Sequence, residues 1–140
     1  MKKRNKTWFW NVLIGLTLLC CGVAFGLHYK NWVVIEKDHF SITSGIYHQK
    51  IPLSAINTLQ FVPRIPELER KNGFSWMAKE KGVFMDSITG SKVYVFVDDL
   101  WQQKVEMVHH DSLVLYFNMT DSLKTKEFFD TLALKIETGD

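Results

Sequence analysis

Residues 8–27, WFWNVLIGLTLLCCGVAFGL, contain no charge and follow the basic stretch MKKRNKT. At about 1.5 Å of rise per residue, a helix of this length covers the roughly 30 Å hydrocarbon core of a bilayer. The run opens at Trp8 and closes at Leu27, and only Asn11 and Thr17 interrupt its apolar character. Trp8 and Trp10 at one end, with Tyr29 and Trp32 beyond the other, fall where amphipathic rings meet the two membrane interfaces. Lys2, Lys3, Arg4 and Lys6 precede the run, against Lys30 and Lys37 just after it. That asymmetry predicts a cytoplasmic N-terminus and a domain outside the cytoplasm.

Two other fates share the same start. Ala24 and Gly26 place small residues where a signal peptidase reads, but the apolar run exceeds the usual 7–15-residue signal core. A lipid attachment at Cys20 or Cys21 puts Leu19 or Cys20 where a small residue belongs. The uncleaved anchor is therefore the favoured reading. Both cysteines lie in the run, so the rest of the chain has neither a disulfide nor a thiol nucleophile.

The formal net charge of +2 conceals a division along the chain. Four of the seventeen Lys and Arg precede the run, leaving thirteen against fifteen Asp and Glu, so the outer part stands near −2. Nucleic-acid binding needs a concentrated basic face, which this balance argues against. Arg70 and Lys71, with Lys79 and Lys81, are interspersed with Glu67, Glu69 and Glu80, the pattern of a solvated face.

Beyond the run, short apolar stretches alternate with turn signals. Strands are predicted around 32–35, 40–43, 46–48, 58–62, 83–85, 92–97, 105–108 and 113–117. Pro52 removes a backbone donor and predicts an edge or a bend. Val93, Val95 and Val97 share one face of their strand, with Tyr94 and Phe96 on the other, so that strand should be covered on both sides. Pro63, Pro66, Asn72-Gly73 and Gly82 punctuate residues 63–82, expected to be a loop of about twenty residues, mobile, functional or partly paired as a hairpin. From Asp121, a good N-cap, the period changes to that of a helix over residues 122–137, ending near Gly139. The expected fold is mainly β, about seven strands with one C-terminal helix plugging a bent sheet.

This order, with four local stretches, resembles the bacterial pleckstrin-homology-like domains of small membrane proteins. The stretches are IPLSAI from Ile51, RKNGF from Arg70 followed by KGVF from Lys81, VYVFVD from Val93, and LYFN from Leu115. Lys71 stands where an Arg-Thr-Asn-Gly-like family loop has Thr. The resemblance implies a seven-stranded bent sheet or barrel capped by a helix and tethered by a transmembrane helix. It implies no chemistry, since a shared fold does not carry function. Relatives that bind phosphoinositides cluster basic residues in an early loop, whereas Glu36-Lys37-Asp38-His39 is mixed in sign.

Chemical constellations are sparse. His109, His110 and Asp111 are the nearest approach to a metal site, but neighbours on a strand face opposite ways, so a polar hairpin end is the simpler reading. Asp98-Asp99 reads as a solvated turn, and no Gly-x-Ser-x-Gly elbow or phosphate loop occurs. Trp76 and Trp101 fall outside the predicted strands, where aromatic anchors serve interfaces. Together with Phe74, Arg70 and Lys71 they are the candidate partner-binding residues. The expectation is a short basic cytoplasmic tail (residues 1–7), a transmembrane helix (8–28) and a PH-like domain (32–138). That domain would bind a protein partner or a second copy of itself, with no catalytic residue and no cofactor. The alternative is a metal-dependent or lipid-head-group-binding exported protein.

Overall fold

The computed structural model describes residues 6–139. Lys2, Lys3 and Arg4 of the expected cytoplasmic tail lie outside the described residues. The first element is the helix α1, Lys6–Tyr29, none of whose residues is buried. Among the described residues it is the one helix long and apolar enough to cross a membrane. Thr17, polar within it, returns its hydroxyl hydrogen to the Leu13 carbonyl (2.9 Å), which removes an unpaired donor from the apolar surface.

Nine strands follow: β1 Trp32–Ile35, β2 His39–Ser44, β3 Tyr47–Pro52, β4 Ile56–Val62, β5 Glu69–Trp76, β6 Lys79–Met85, β7 Lys92–Val97, β8 Lys104–His109 and β9 Leu113–Asn118. A 3-10 turn, Leu53–Ala55, bends the chain directly after Pro52. The helix α2, Ser122–Thr138, closes the fold. Asp121 caps it by accepting from the Leu123 amide (2.9 Å), and Gly139 ends it in the left-handed region at φ 68°. Mainly β with a C-terminal helix is thus the architecture, as the sequence indicates, but with nine strands in two sheets rather than seven.

One sheet has the order β1-β2-β3 and the other β4-β8-β9-β7-β6-β5. Phe40 and Ile42 of the smaller sheet meet Phe96, Met107, Leu115 and Phe117 of the larger, and Leu132 of α2 seals the same core. The Phe61 and Phe129 rings stack at 4.2 Å where α2 crosses β4. The other face of the larger sheet buries Phe84, Val93, Val95, Val97 and Tyr116 beneath Val62, Ile65, Leu68 and Leu100. Residues 92–97 are therefore covered on both faces, as their doubled apolar pattern predicts. Leu123 departs from the expected helix face and is exposed, because the buried stripe runs through Thr125, Leu132 and their neighbours.

The expected loop over residues 63–82 is largely a hairpin, β5 paired with β6. Gly73 and Gly82 are cross-strand partners there, beside a register shift between Arg70 and Asn72. Gly82 sits at φ 156°, and a Cβ on it would lie 2.2 Å from the Asn72 carbonyl oxygen. The Asn-Gly and Lys-Gly pairs are thus a close backbone crossing, not a flexible loop. The hairpin β8–β9 wedges between β4 and β7, which makes β7 and β9 parallel, with Val97 opposite Asn118. Residues 98–103 must then pass across the end of β9 to reach β8. That crossing builds the site described next.

Candidate functional site

Where α1 gives way to β1, five residues distant in sequence converge on a buried polar cluster. Its hub is Asn31, buried two positions after the helix ends. The Asn31 amide donates to Asp98 Oδ2 (2.8 Å), and its side-chain nitrogen donates to the carbonyls of Asn118 (2.8 Å) and Phe96. Its Oδ1 accepts from Ser44 Oγ (2.5 Å) and Lys81 Nζ (3.1 Å). Lys81 Nζ also lies 2.8 Å from Asp98 Oδ1. Asn31 thus ties β2, β6, β9 and the end of β7 to the segment that follows α1.

The parallel pairing explains how the cluster is held. Because Asn118 ends β9 beside the end of β7, its Oδ1 accepts from the amides of Asp98 (2.8 Å) and Asp99 (3.0 Å). Its side-chain nitrogen donates to the carbonyls of Asp99 (2.6 Å) and Gln103 (3.2 Å). The loop is fixed further by Lys104, which is buried and donates to the Leu100 (2.5 Å) and Pro63 (3.0 Å) carbonyls. Burial pushes both Lys81 and Lys104 below the ordinary lysine value, opposed at Lys81 by Asp98 and at Lys104 by Asp99. Neither ammonium is available to an external anion.

Around this cluster, α1 and three turns form an apolar end. The Phe25 ring meets Trp76 edge-on at 6.5 Å, His28 meets Phe74 at 5.4 Å, and Lys79 Nζ lies 4.7 Å over the Tyr29 ring. Gly45, at φ 64° in the β2–β3 turn, lets the His28 ring approach to 2.4 Å of where a Cβ would stand. The 98–103 loop is sutured to the β5–β6 turn by the Leu100 amide on the Ala78 carbonyl (2.7 Å). Ile46, Trp76, Met77 and Trp101 all remain exposed, Met77 and Trp101 at 87% each.

The predicted partner-binding residues thus divide. Phe74 and Trp76 face the last turns of α1, and Trp101 projects from the neighbouring loop. Arg70 is paired with Glu80 (3.0 Å) and lies over Phe84, while Lys71 is paired with Glu69 (2.6 Å). The hairpin brings the aromatic residues to one end and leaves these cations on its outer flank.

His109, His110 and Asp111 serve the β8–β9 turn. His109 and His110 approach through their Nδ1 atoms (2.8 Å), while the Asp111 carboxylate accepts from Asn57 (3.1 Å). His110 (φ 48°) and Asp111 (φ 65°) supply the left-handed turn, clipped to Ala55 and Asn57 of the facing bulge. Burial, then His110, depresses the His109 imidazole from 6.5 to about 4. Among the described residues, three potential metal ligands converge only at Glu36, Asp38 and His39, where His39 is bound to Asp38 (2.6 Å). Asp98 and Asp99, read as a solvated turn, part company: Asp98 is in the buried cluster and Asp99 caps the Trp101 amide (2.9 Å).

Asn31, Ser44, Lys81 and Asn118 carry no signal of this role in the sequence. Asp98 reads there, with Asp99, as a solvated turn at the end of an apolar strand. Comparison of the chain with protein-family models, curated proteins and solved structures yields no match. The site's meaning rests on its own geometry.

Proposed function

We propose that the chain is a single-pass membrane protein that presents a rigidly mounted recognition domain at the membrane surface, without catalytic activity. The observation that carries this reading is the exposure of α1, 24 residues long with none buried by the domain. A helix apolar on all sides and left uncovered needs a non-aqueous surrounding. The basic residues before it support a cytoplasmic N-terminus and a domain on the other side. A PH-like assignment belongs to the same proposal: a β-rich domain closed by a terminal helix supports it, whereas nine strands and the parallel β7–β9 pair depart from a seven-stranded sheet.

The docking surface best suited to recognition is a groove of about 510 Å³ between β1 and α2. Trp32, Val33, Ile35 and Phe128 supply its apolar wall, and Lys124 and Glu127 its mixed-sign rim. β1 is an edge strand with Trp32 and Val34 exposed. Such an edge accepts an extended chain by adding a strand, with side-chain pockets setting specificity. The groove starts at Lys30, immediately after α1, so the fitting partner is an extended segment of another protein held close to the membrane.

Crosslinking in intact membranes, followed by extraction of the full chain, tests the assignment. Trp32→Asp combined with Val34→Lys should abolish the crosslinked species, while Arg70→Ala on the far flank should retain it. Persistence of the same species in the β1 variant overturns the groove as the docking site.

A further inference from the structure

The apolar end built by Ile46, Trp76, Met77 and Trp101 has a further role, and its position along α1 decides what covers it. Residues 8–27 span about 30 Å of helix, the full hydrocarbon thickness, so Phe25 lies in the last turn of that segment. Trp76 packs edge-on against Phe25, and Phe74 against His28 one turn further along. The tip of the β5–β6 hairpin therefore stands level with the end of the hydrocarbon segment, not above it. Met77 extends beyond Trp76 at φ 51° and is exposed at 87%. Trp101 is brought alongside through the bond between the Leu100 amide and the Ala78 carbonyl.

We propose that this end is immersed in the interfacial layer of the same bilayer that α1 spans, so that the domain contacts lipid at a second place. The occupant follows from continuity: the aromatic cluster on α1 passes without a break into the hairpin tip. Tryptophan and tyrosine favour this depth because one part of each ring is apolar and the other is polar. Lys30 over Trp32 (4.2 Å) and Lys79 over Tyr29 (4.7 Å) set cations where phosphate groups lie. Immersion needs no basic patch, which agrees with the outer part's net charge near −2.

The inference rests on the spanning reading of α1, and the test separates the two. The full chain, with Cys20→Ala and Cys21→Ala, is reconstituted in phosphatidylcholine vesicles carrying a nitroxide on the lipid near the head group. Single cysteines at Met77→Cys, Trp101→Cys and Ile88→Cys receive an environment-sensitive fluorophore. Ile88 is the control: it is exposed in the β6–β7 turn, at the other end of β6 from the tip. Blue-shifted emission and lipid quenching at 77 and 101, absent at 88, is the expected result. Equal water exposure at 77, 101 and 88, in a protein that still resists alkaline extraction, overturns immersion and leaves the spanning reading intact. Release of the protein by alkaline extraction overturns both.

Discussion

Lys81 and Asp98 form an ion pair at 2.8 Å with side chains 0% and 1% exposed, inside a cluster completed by Asn31. Removing one member leaves the other charged and without its counter-ion in a buried site, at a cost of about 3–5 kcal/mol. Lys81→Met should therefore lower the midpoint of denaturant unfolding sharply. Lys81→Met with Asp98→Asn should recover a large part of the loss, because the asparagine oxygen still accepts from the Asn31 amide. Unfolding curves of the single and double variants check this. With Asp98→Asn measured alone as well, a double-variant loss equal to the sum of the two single losses would mean that the pair is not coupled.

Asn31 makes the same cluster a mounting for α1. Asn31→Ala removes the acceptor of Ser44 and Lys81 and the donor to Phe96 and Asn118, while the backbone bond to Asp98 persists. The expected consequence is a looser joint, read as faster tryptic cleavage after Lys30 in membrane-reconstituted protein. Unchanged cleavage would show that the contacts of His28 and Phe25 suffice alone.

Gly45 tests those contacts from the other side. Any side chain there meets the His28 ring and adopts an unfavourable positive φ. Gly45→Asn tolerates the backbone conformation better than Gly45→Val but retains the clash. Both variants should raise cleavage after Lys30, and Gly45→Val should in addition lower stability by about 1 kcal/mol or more through backbone strain.

The His109 imidazole gives stability a pH dependence. Its folded value of about 4 lies below the unfolded 6.5, so the unfolded chain binds more protons between those limits. Stability should be full above about 6.5, fall as pH drops towards about 4, and change no further from this group below that. His109→Gln should flatten that window in urea titrations at successive pH values. Asp38, lowered by its bond to His39, and Asp86, lowered by the amides of Ile88 and Thr89, act in the same direction only below the ordinary carboxylate value of 3.8.

Legibility in the sequence followed the strength of local periodicity. The change of period at Asp121 and the doubled apolar pattern of residues 92–97 come from contacts that repeat along one element, so one element's residues reveal them. β5 was hidden because its first four residues, Glu69-Arg70-Lys71-Asn72, are all exposed on an edge strand and show no alternation. The parallel placement of β9 against β7 leaves no mark in either strand, since both are simply buried. The polar cluster was illegible for a stronger reason. Its members Asn31, Ser44, Lys81, Asp98 and Asn118 are assembled by tertiary pairing, and each alone reads as an ordinary turn or strand-end residue. Trp76 reads in the sequence as a loop aromatic, and its neighbour is Phe25 of the helix before the domain.

The Asn31 mounting also changes what α1 can transmit. A helix joined by a flexible linker would leave the domain free to turn without moving anything across the bilayer. In the proposed spanning arrangement, with the joint locked, α1 and the domain would turn as one lever about the point where they join. At 24 residues the arm is about 36 Å long, so tilting the domain by about 10° swings the far end of the helix by about 6 Å. In that arrangement, a partner pulling on β1 would displace the start of α1 at Lys6 on the opposite side.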